Sequence, residues 1–123
     1  MSGSSLLLDT NAVLYFLGGD KTLFEFIEGK QLYISVITEM ELLSFKGISE
    51  MEFVIISEFI EDVRVLDISL EVKRLAISLR QSTRLKLPDC IISATSMAMN
   101  LPLVTSDKAF RNIEGLNVIF YEK

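Results

Sequence analysis

Short apolar runs and amphipathic stretches alternate along the whole chain. Leu6-Leu7-Leu8, bounded by Ser5 and Asp9, reads as a buried strand over residues 5–9. Residues 11–17 read as a helix stopped by Gly18-Gly19, and Leu23, Phe24, Phe26 and Ile27 mark a second short helix ended by Gly29. Gln31 to Ile34 gives a second strand. Helical patterns follow over 35–45 and 49–61, the latter with Phe53, Ile56 and Ile60 on one stripe. Arg64-Val65-Leu66-Asp67-Ile68 alternates as a third strand. Residues 69–82 are amphipathic, with Leu70, Val72, Leu75, Ala76 and Leu79 turned inward. Pro88, placed where a helix start needs no N–H, opens a helix that runs through Met99. Leu101–Thr105 and Leu116–Tyr121 supply a fourth and a fifth strand. Short apolar strands separated by helices predict an α/β fold, a parallel sheet covered on both faces. The 123 residues hold no repeat, linker or low-complexity segment, so one domain over 1–123 is expected.

Composition narrows the chemistry. The chain has no histidine, which excludes Ser-His-Asp and Cys-His catalysis, histidine-bound zinc and an imidazole base. Its one cysteine, Cys90, excludes an internal disulfide and a thiolate zinc cluster, and its apolar helix predicts a buried structural thiol. Charges interrupt every apolar run before it reaches membrane-spanning length, and the N-terminal run lacks the basic residues of a signal peptide. A cytoplasmic protein without membrane contact is expected. The net charge of −5 works against a polyanionic partner. That bias is uneven: residues 50–71 are acid-rich, whereas Arg80, Arg84, Lys86, Lys108 and Arg111 fall near Asp89 and Asp107.

Four acids stand at element boundaries: Asp9, Glu41, Asp89 and Asp107. Carboxylates at strand ends and helix starts can converge at the edge where open α/β sheets place their sites. Converged carboxylates repel unless protons or cations neutralise them, which points to a hard divalent metal. Each acid also has a plain structural reading. Asp9 in Asp-Thr-Asn would cap the next helix. Thr38 and Glu41 fit a capping box, and Glu39 competes with Glu41 for the inward face. Asp89 in a first helical turn gains from the helix dipole, and Asp107 in Thr-Ser-Asp fits a turn or cap. Thr105 offers a hydroxyl to orient a water.

Taken together, Leu-Leu-Leu-Asp9-Thr-Asn, Ile-Thr-Glu-Met-Glu41-Leu-Leu, Leu-Pro-Asp89-Cys-Ile-Ile and Leu-Val-Thr105-Ser-Asp107 resemble the four signatures of PIN-domain nucleases. Their order and spacing agree over nearly the whole chain, and the small VapC-type toxins of bacterial toxin–antitoxin pairs are most similar. The resemblance selects Glu41 over Glu39. It implies a three-layer α/β/α domain with a five-stranded parallel sheet, and metal-dependent endonucleolytic cleavage of RNA. It implies Asp9, Glu41, Asp89 and Asp107 as the catalytic and metal-binding quartet for Mg²⁺ or Mn²⁺, with Asn11 and Thr105 in support. Glu41 stands either as a ligand or as a general base acting through water. Arg84, Lys86 and Lys108 are candidates to hold the substrate backbone. A homodimer and a cognate antitoxin are the implied partners. Cys90 occupies a place where alanine is common, and the acidic charge departs from what RNA binding favours.

Other functions remain in competition. A haloacid-dehalogenase-like phosphatase also begins with a strand-terminal Asp, but it needs a second acid where Asn11 stands. A receiver-type phosphoacceptor needs a central strand-terminal Asp, and Asp67 is expected in mid-strand. A PIN fold without catalysis, serving as a binding module, is the non-enzymatic alternative.

Overall fold

The computed structural model describes residues 4–122. β1 (Ser5–Leu8) is followed by α1 (Thr10–Leu17), α2 (Lys21–Ile27) and β2 (Gln31–Ser35). Then come α3 (Val36–Leu43), α4 (Glu50–Asp62) and β3 (Arg64–Leu66). The last part is α5 (Leu70–Ser82), α6 (Leu87–Met99), β4 (Leu103–Thr105), a 3₁₀ turn at Lys108–Phe110, and β5 (Val118–Phe120). All pairings are parallel in one five-stranded sheet of order β3-β2-β1-β4-β5. The chain lays β1, β2 and β3 outward in one direction, then crosses back to set β4 on the other side of β1. That reversal opens a crevice beyond the carboxyl ends of β1 and β4.

The elements start where side chains can take up free helical N–H groups. Asp9, Asp20, Ser35, Ser49 and Ser69 each accept such a bond, a cap worth about 1 kcal/mol. The capping box is Ser49 with Glu52, not Thr38 with Glu41. Ser35 already caps α3, so Thr38 lies buried in its first turn and Glu41 is released for other use. Gly29, with φ of +79°, makes the turn from α2 into β2 that a side chain would strain.

Alternation along β1 divides the core in two. Leu6 and Leu8 join Ala12, Val13, Leu23, Ile27, Leu42, Ile56 and Phe59 under α1 to α4. Leu7 joins Val72, Ala76, Leu79, Ile92 and Leu103 under α5 and α6. Each fully buried leucine contributes about 1.5–3 kcal/mol, and burial on both sides makes β1 the centre of the fold. Cys90 is buried with its Sγ 3.5 Å from the Leu85 carbonyl, so the expected structural thiol is found. Three expectations are corrected. On α4 the buried aromatic is Phe59, one helical turn beyond Ile56, while Phe53 is 46% exposed. On α5, Leu70 lies in the first turn and is 58% exposed. β3 stops at Leu66, so Asp67 falls just past a strand end, but on an edge strand and exposed to solvent. Among the described residues no helix is long and apolar enough to cross a membrane.

Candidate functional site

The crevice at the reversal point holds a cavity of about 400 Å³ lined by Asp9, Glu41, Asp89 and Asp107. Thr10, Asn11, Ser44 and Phe45 line it from α1 and α3, and Ile92 and Phe110 form apolar wall. Each acid arrives on a different element: Asp9 from the end of β1, Glu41 from α3, Asp89 from the first turn of α6, and Asp107 from the loop after β4. Their convergence depends on β4 lying beside β1, which brings residues 9 and 105–107 together from opposite ends of the chain.

Hydrogen bonds fix three of the carboxylates, and Asp89 accepts none among the described residues. Asp9 is 4% exposed; its Oδ1 accepts the Ala12 N–H at 2.8 Å and its Oδ2 accepts the Thr105 hydroxyl. The capping and site readings of Asp9 are therefore compatible, one oxygen serving the helix and the other facing Thr105. Thr105 Oγ1 also accepts the Asp107 N–H at 3.0 Å, so one buried hydroxyl ties two of the acids together. Its single proton is committed to Asp9 rather than to a water. Asp107 Oδ1 accepts the Ala109 N–H at 2.9 Å, the cap expected of it. Thr10 Oγ1 donates to Glu41 Oε1 at 2.6 Å and stands 3.1 Å from Thr38 Oγ1. The sequence offers Thr10 only as a neighbour of Asp9; a hydroxyl one step past a strand-terminal acid is the one local signal of its contact with Glu41.

Electrostatics mark the same place. Burial pushes the Asp9 carboxyl up to about 6, against the Thr105 and Ala12 hydrogen bonds, and Asp89 and Asp107 add repulsion. Asp89 is also raised, first by burial and then by Asp107 and Glu41, with Lys86 opposing. Like charges that raise one another's pKa are a cluster in need of a cation. Among the described residues no three acids or thiols stand close enough to chelate an ion directly. Such spacing would suit an ion that keeps its own waters rather than one enclosed by protein ligands. Mg²⁺ keeps several waters and takes one or two carboxylates directly, leaving the others to act through those waters.

The cations are distributed differently from expectation. Arg84 and Lys86 are exposed outside the cavity, though Lys86 is near enough to favour the charged form of Asp89. Lys108 lines a neighbouring cavity with Arg111, which was not singled out as a substrate contact. Glu39 lies outside the acidic cavity, in keeping with the choice of Glu41.

A parallel α/β sheet whose order reverses at a pocket of four acids defines an acidic-site α/β protein. The PIN domain family profile matches residues 6–116, and the chain belongs to that family. No curated protein sequence matches the chain. Among solved structures, a toxin–antitoxin complex from Klebsiella pneumoniae is 30% identical, with a TM-score of 0.82 over 96% of this chain and 99% of that one. VapBC2 from Rickettsia felis, bound to a DNA fragment from its promoter, has a TM-score of 0.84 at 20% identity, over 96% of this chain and 99% of that one. VapBC-1 from nontypeable Haemophilus influenzae has a TM-score of 0.76 at 23% identity, over 94% and 97%. The last two are likenesses of fold.

Proposed function

We propose that the chain is a divalent-metal-dependent endoribonuclease, the VapC-type toxin of a toxin–antitoxin pair. The observation that carries this reading is the meeting of Asp9, Glu41, Asp89 and Asp107 in one cavity, with hydrogen bonds placing oxygens of Asp9, Glu41 and Asp107. In this reading Asp9 and Asp89 are direct ligands of Mg²⁺ or Mn²⁺, and Asp107 and Glu41 act directly or through retained water. A bound divalent ion supplies a lowered water pKa and neutralises charge on the phosphate in flight. The protein's part is positional. Thr105 holds Asp9 and Asp107 in one arrangement, and Thr10 aims Glu41, so that its carboxylate can take a proton from water. Asn11, exposed at the rim, is placed to contact the substrate.

The partner part of the reading draws on a second cavity, of about 420 Å³, lined by Leu14, Leu17, Ile48, Ile55 and Ile56. It meets the acidic cavity at Phe45, which lines both. An apolar groove beside the site suits a bound segment of an antitoxin. Exposed Leu70 and Ile77 on α5 offer apolar surface to a second copy of the chain.

The test is cleavage of a fluorogenic RNA with Mg²⁺ or Mn²⁺, with EDTA, and by the Asp9→Asn variant. Cutting that needs the ion and disappears in the variant supports the nuclease. Cutting that survives both controls sinks it. Co-expression with the product of the neighbouring gene tests the toxin assignment separately, and failure to co-purify counts against that assignment alone.

A further inference from the structure

Thr38-x-x-Glu41 reads in the sequence as a capping box, a use the fold gives to Ser35 instead. Thr38 stands inside the first turn of α3, on the same face as Glu41 one turn later. It has no exposed surface, whereas Glu41 lines the acidic cavity. A helical threonine often returns its hydroxyl proton to the carbonyl four residues back, as Thr95 does to Ile91 at 2.8 Å. Thr38 makes no such bond among the described residues. Its one hydrogen-bond contact there is with Thr10 Oγ1, at 3.1 Å.

Counting protons gives that contact a direction. Thr10 has one hydroxyl proton, and Glu41 Oε1 takes it at 2.6 Å, the length of a hydroxyl bond to a carboxylate. Thr10 Oγ1 is then left to accept, and Thr38 has no other use for its proton. The reverse order needs the proton on Glu41, which would leave that acid unable to take another. The result is a chain from Thr38 to Thr10 to Glu41, which leaves α3, touches the first residue of α1 and returns to α3. Thr105 repeats the pattern across the cavity: it donates to Asp9 while its own oxygen accepts the Asp107 N–H. A hydroxyl that accepts one bond donates the next more strongly and in a fixed direction.

We propose that Thr38 is a positioning residue for Glu41, acting through Thr10. It holds the Thr10 proton on Oε1, and Oε2 accepts no hydrogen bond among the described residues. Glu41 is thereby left one free oxygen, enough to take a proton from an attacking water but not to grip an ion with both. The proposal rests on the nuclease reading of the acids and gives Glu41, in that reading, the part of a base rather than of a chelating ligand.

The test compares Thr38→Val, which keeps the shape and removes the hydroxyl, with Thr38→Ser, which keeps the hydroxyl. In cleavage of a fluorogenic RNA, Thr38→Val should lower kcat about 10-fold with KM unchanged, and Thr38→Ser should recover kcat to within about 2-fold. Thr10→Val breaks the chain at a half-buried side chain and should cost at least as much, and adding Thr38→Val to it should cost nothing further. Two readouts need no cleavage. Mn²⁺ affinity, read by electron paramagnetic resonance without RNA, should be the same in wild type and Thr38→Val. Three-bond nuclear magnetic resonance couplings of Thr10 should report one χ1 rotamer in wild type and Thr38→Ser, and averaging in Thr38→Val. Equal kcat in wild type and Thr38→Val, additive losses in the double variant, or a fall in Mn²⁺ affinity matching the fall in kcat overturns the proposal while the nuclease reading stands. Absence of ion-dependent cutting by the wild type overturns both.

Discussion

Two cavities of nearly equal size meet at Phe45, one walled by carboxylates and the other by leucine and isoleucine. The apolar one adjoins the core through Ile56, which is buried and contributes to stability, while Phe45 and Ile55 on its outer wall are exposed. The acidic one does the opposite: Asp9 and Asp89 are partly desolvated and feel the repulsion of neighbouring carboxylates, which costs stability. Volume does not separate these cavities. What separates them is that one set of residues favours folding, whereas capping accounts for Asp9 and Asp107 singly but not for the gathering of four acids.

The sharpest way to break this contrast is to cross the two regions. Asp89→Asn should lower ion-dependent RNA cleavage by about 10²-fold or more, while leaving the ion-free melting temperature unchanged or higher. Ile56→Ala should do the reverse, losing about 2–5 kcal/mol in denaturant unfolding while keeping the stabilisation produced by Mn²⁺. If both variants lose stability alike, the acids are structural and the contrast fails.

Protonation sharpens the same point. In the folded chain Asp9 titrates at about 6, against 3.8 for the free side chain. Between those values the folded state holds a proton that the unfolded state has released. The Asp9 contribution to stability is therefore greatest at low pH and falls as pH rises from about 4 to 6, by up to about 3 kcal/mol. Without divalent ions, the difference in unfolding free energy between wild type and Asp9→Asn should follow that curve; saturating Mg²⁺ should flatten it. A difference independent of pH would contradict the buried, repelled state of Asp9.

Smaller effects come from supporting groups. Thr105→Val keeps the shape but removes the hydroxyl between Asp9 and Asp107, and should cost about 10–100-fold in cleavage or ion affinity. Ser93→Ala on α6 should leave cleavage untouched and raise stability by about 1 kcal/mol. The Ser93 hydroxyl is buried without a hydrogen-bond partner among the described residues.

The sequence was legible where the physics is local. Apolar runs of strand length and the Gly, Ser and Asp residues around them located all five strands and six helices, with boundaries off by at most two residues. It was less legible where tertiary cover decides, as with Phe53 and Leu70, which share a stripe with buried residues yet stay exposed. Local pattern also misassigned the Thr38–Glu41 box, because Ser35 starts the helix three residues earlier. The gathering of the acids lies beyond periodicity altogether. It follows from β4 returning to the side of β1, and no local signal in Leu103–Thr105 specifies that neighbour. The family resemblance supplied that step. Among the cations, Arg84 and Lys86 stand near Asp89 in the sequence, whereas Arg111 comes beside Phe120 only through the fold.

The central claim is that Asp9, Glu41, Asp89 and Asp107 jointly hold a divalent ion. The most direct measurement is an electron paramagnetic resonance titration of Mn²⁺ at neutral pH against wild type, Asp9→Asn, Asp89→Asn and Glu39→Gln. The account predicts Mn²⁺ bound by wild type, affinity at least about 10-fold weaker in the two Asp variants, and no change for Glu39→Gln, whose acid lies outside the cavity. Absence of bound Mn²⁺, or equal losses in all three variants, would contradict it.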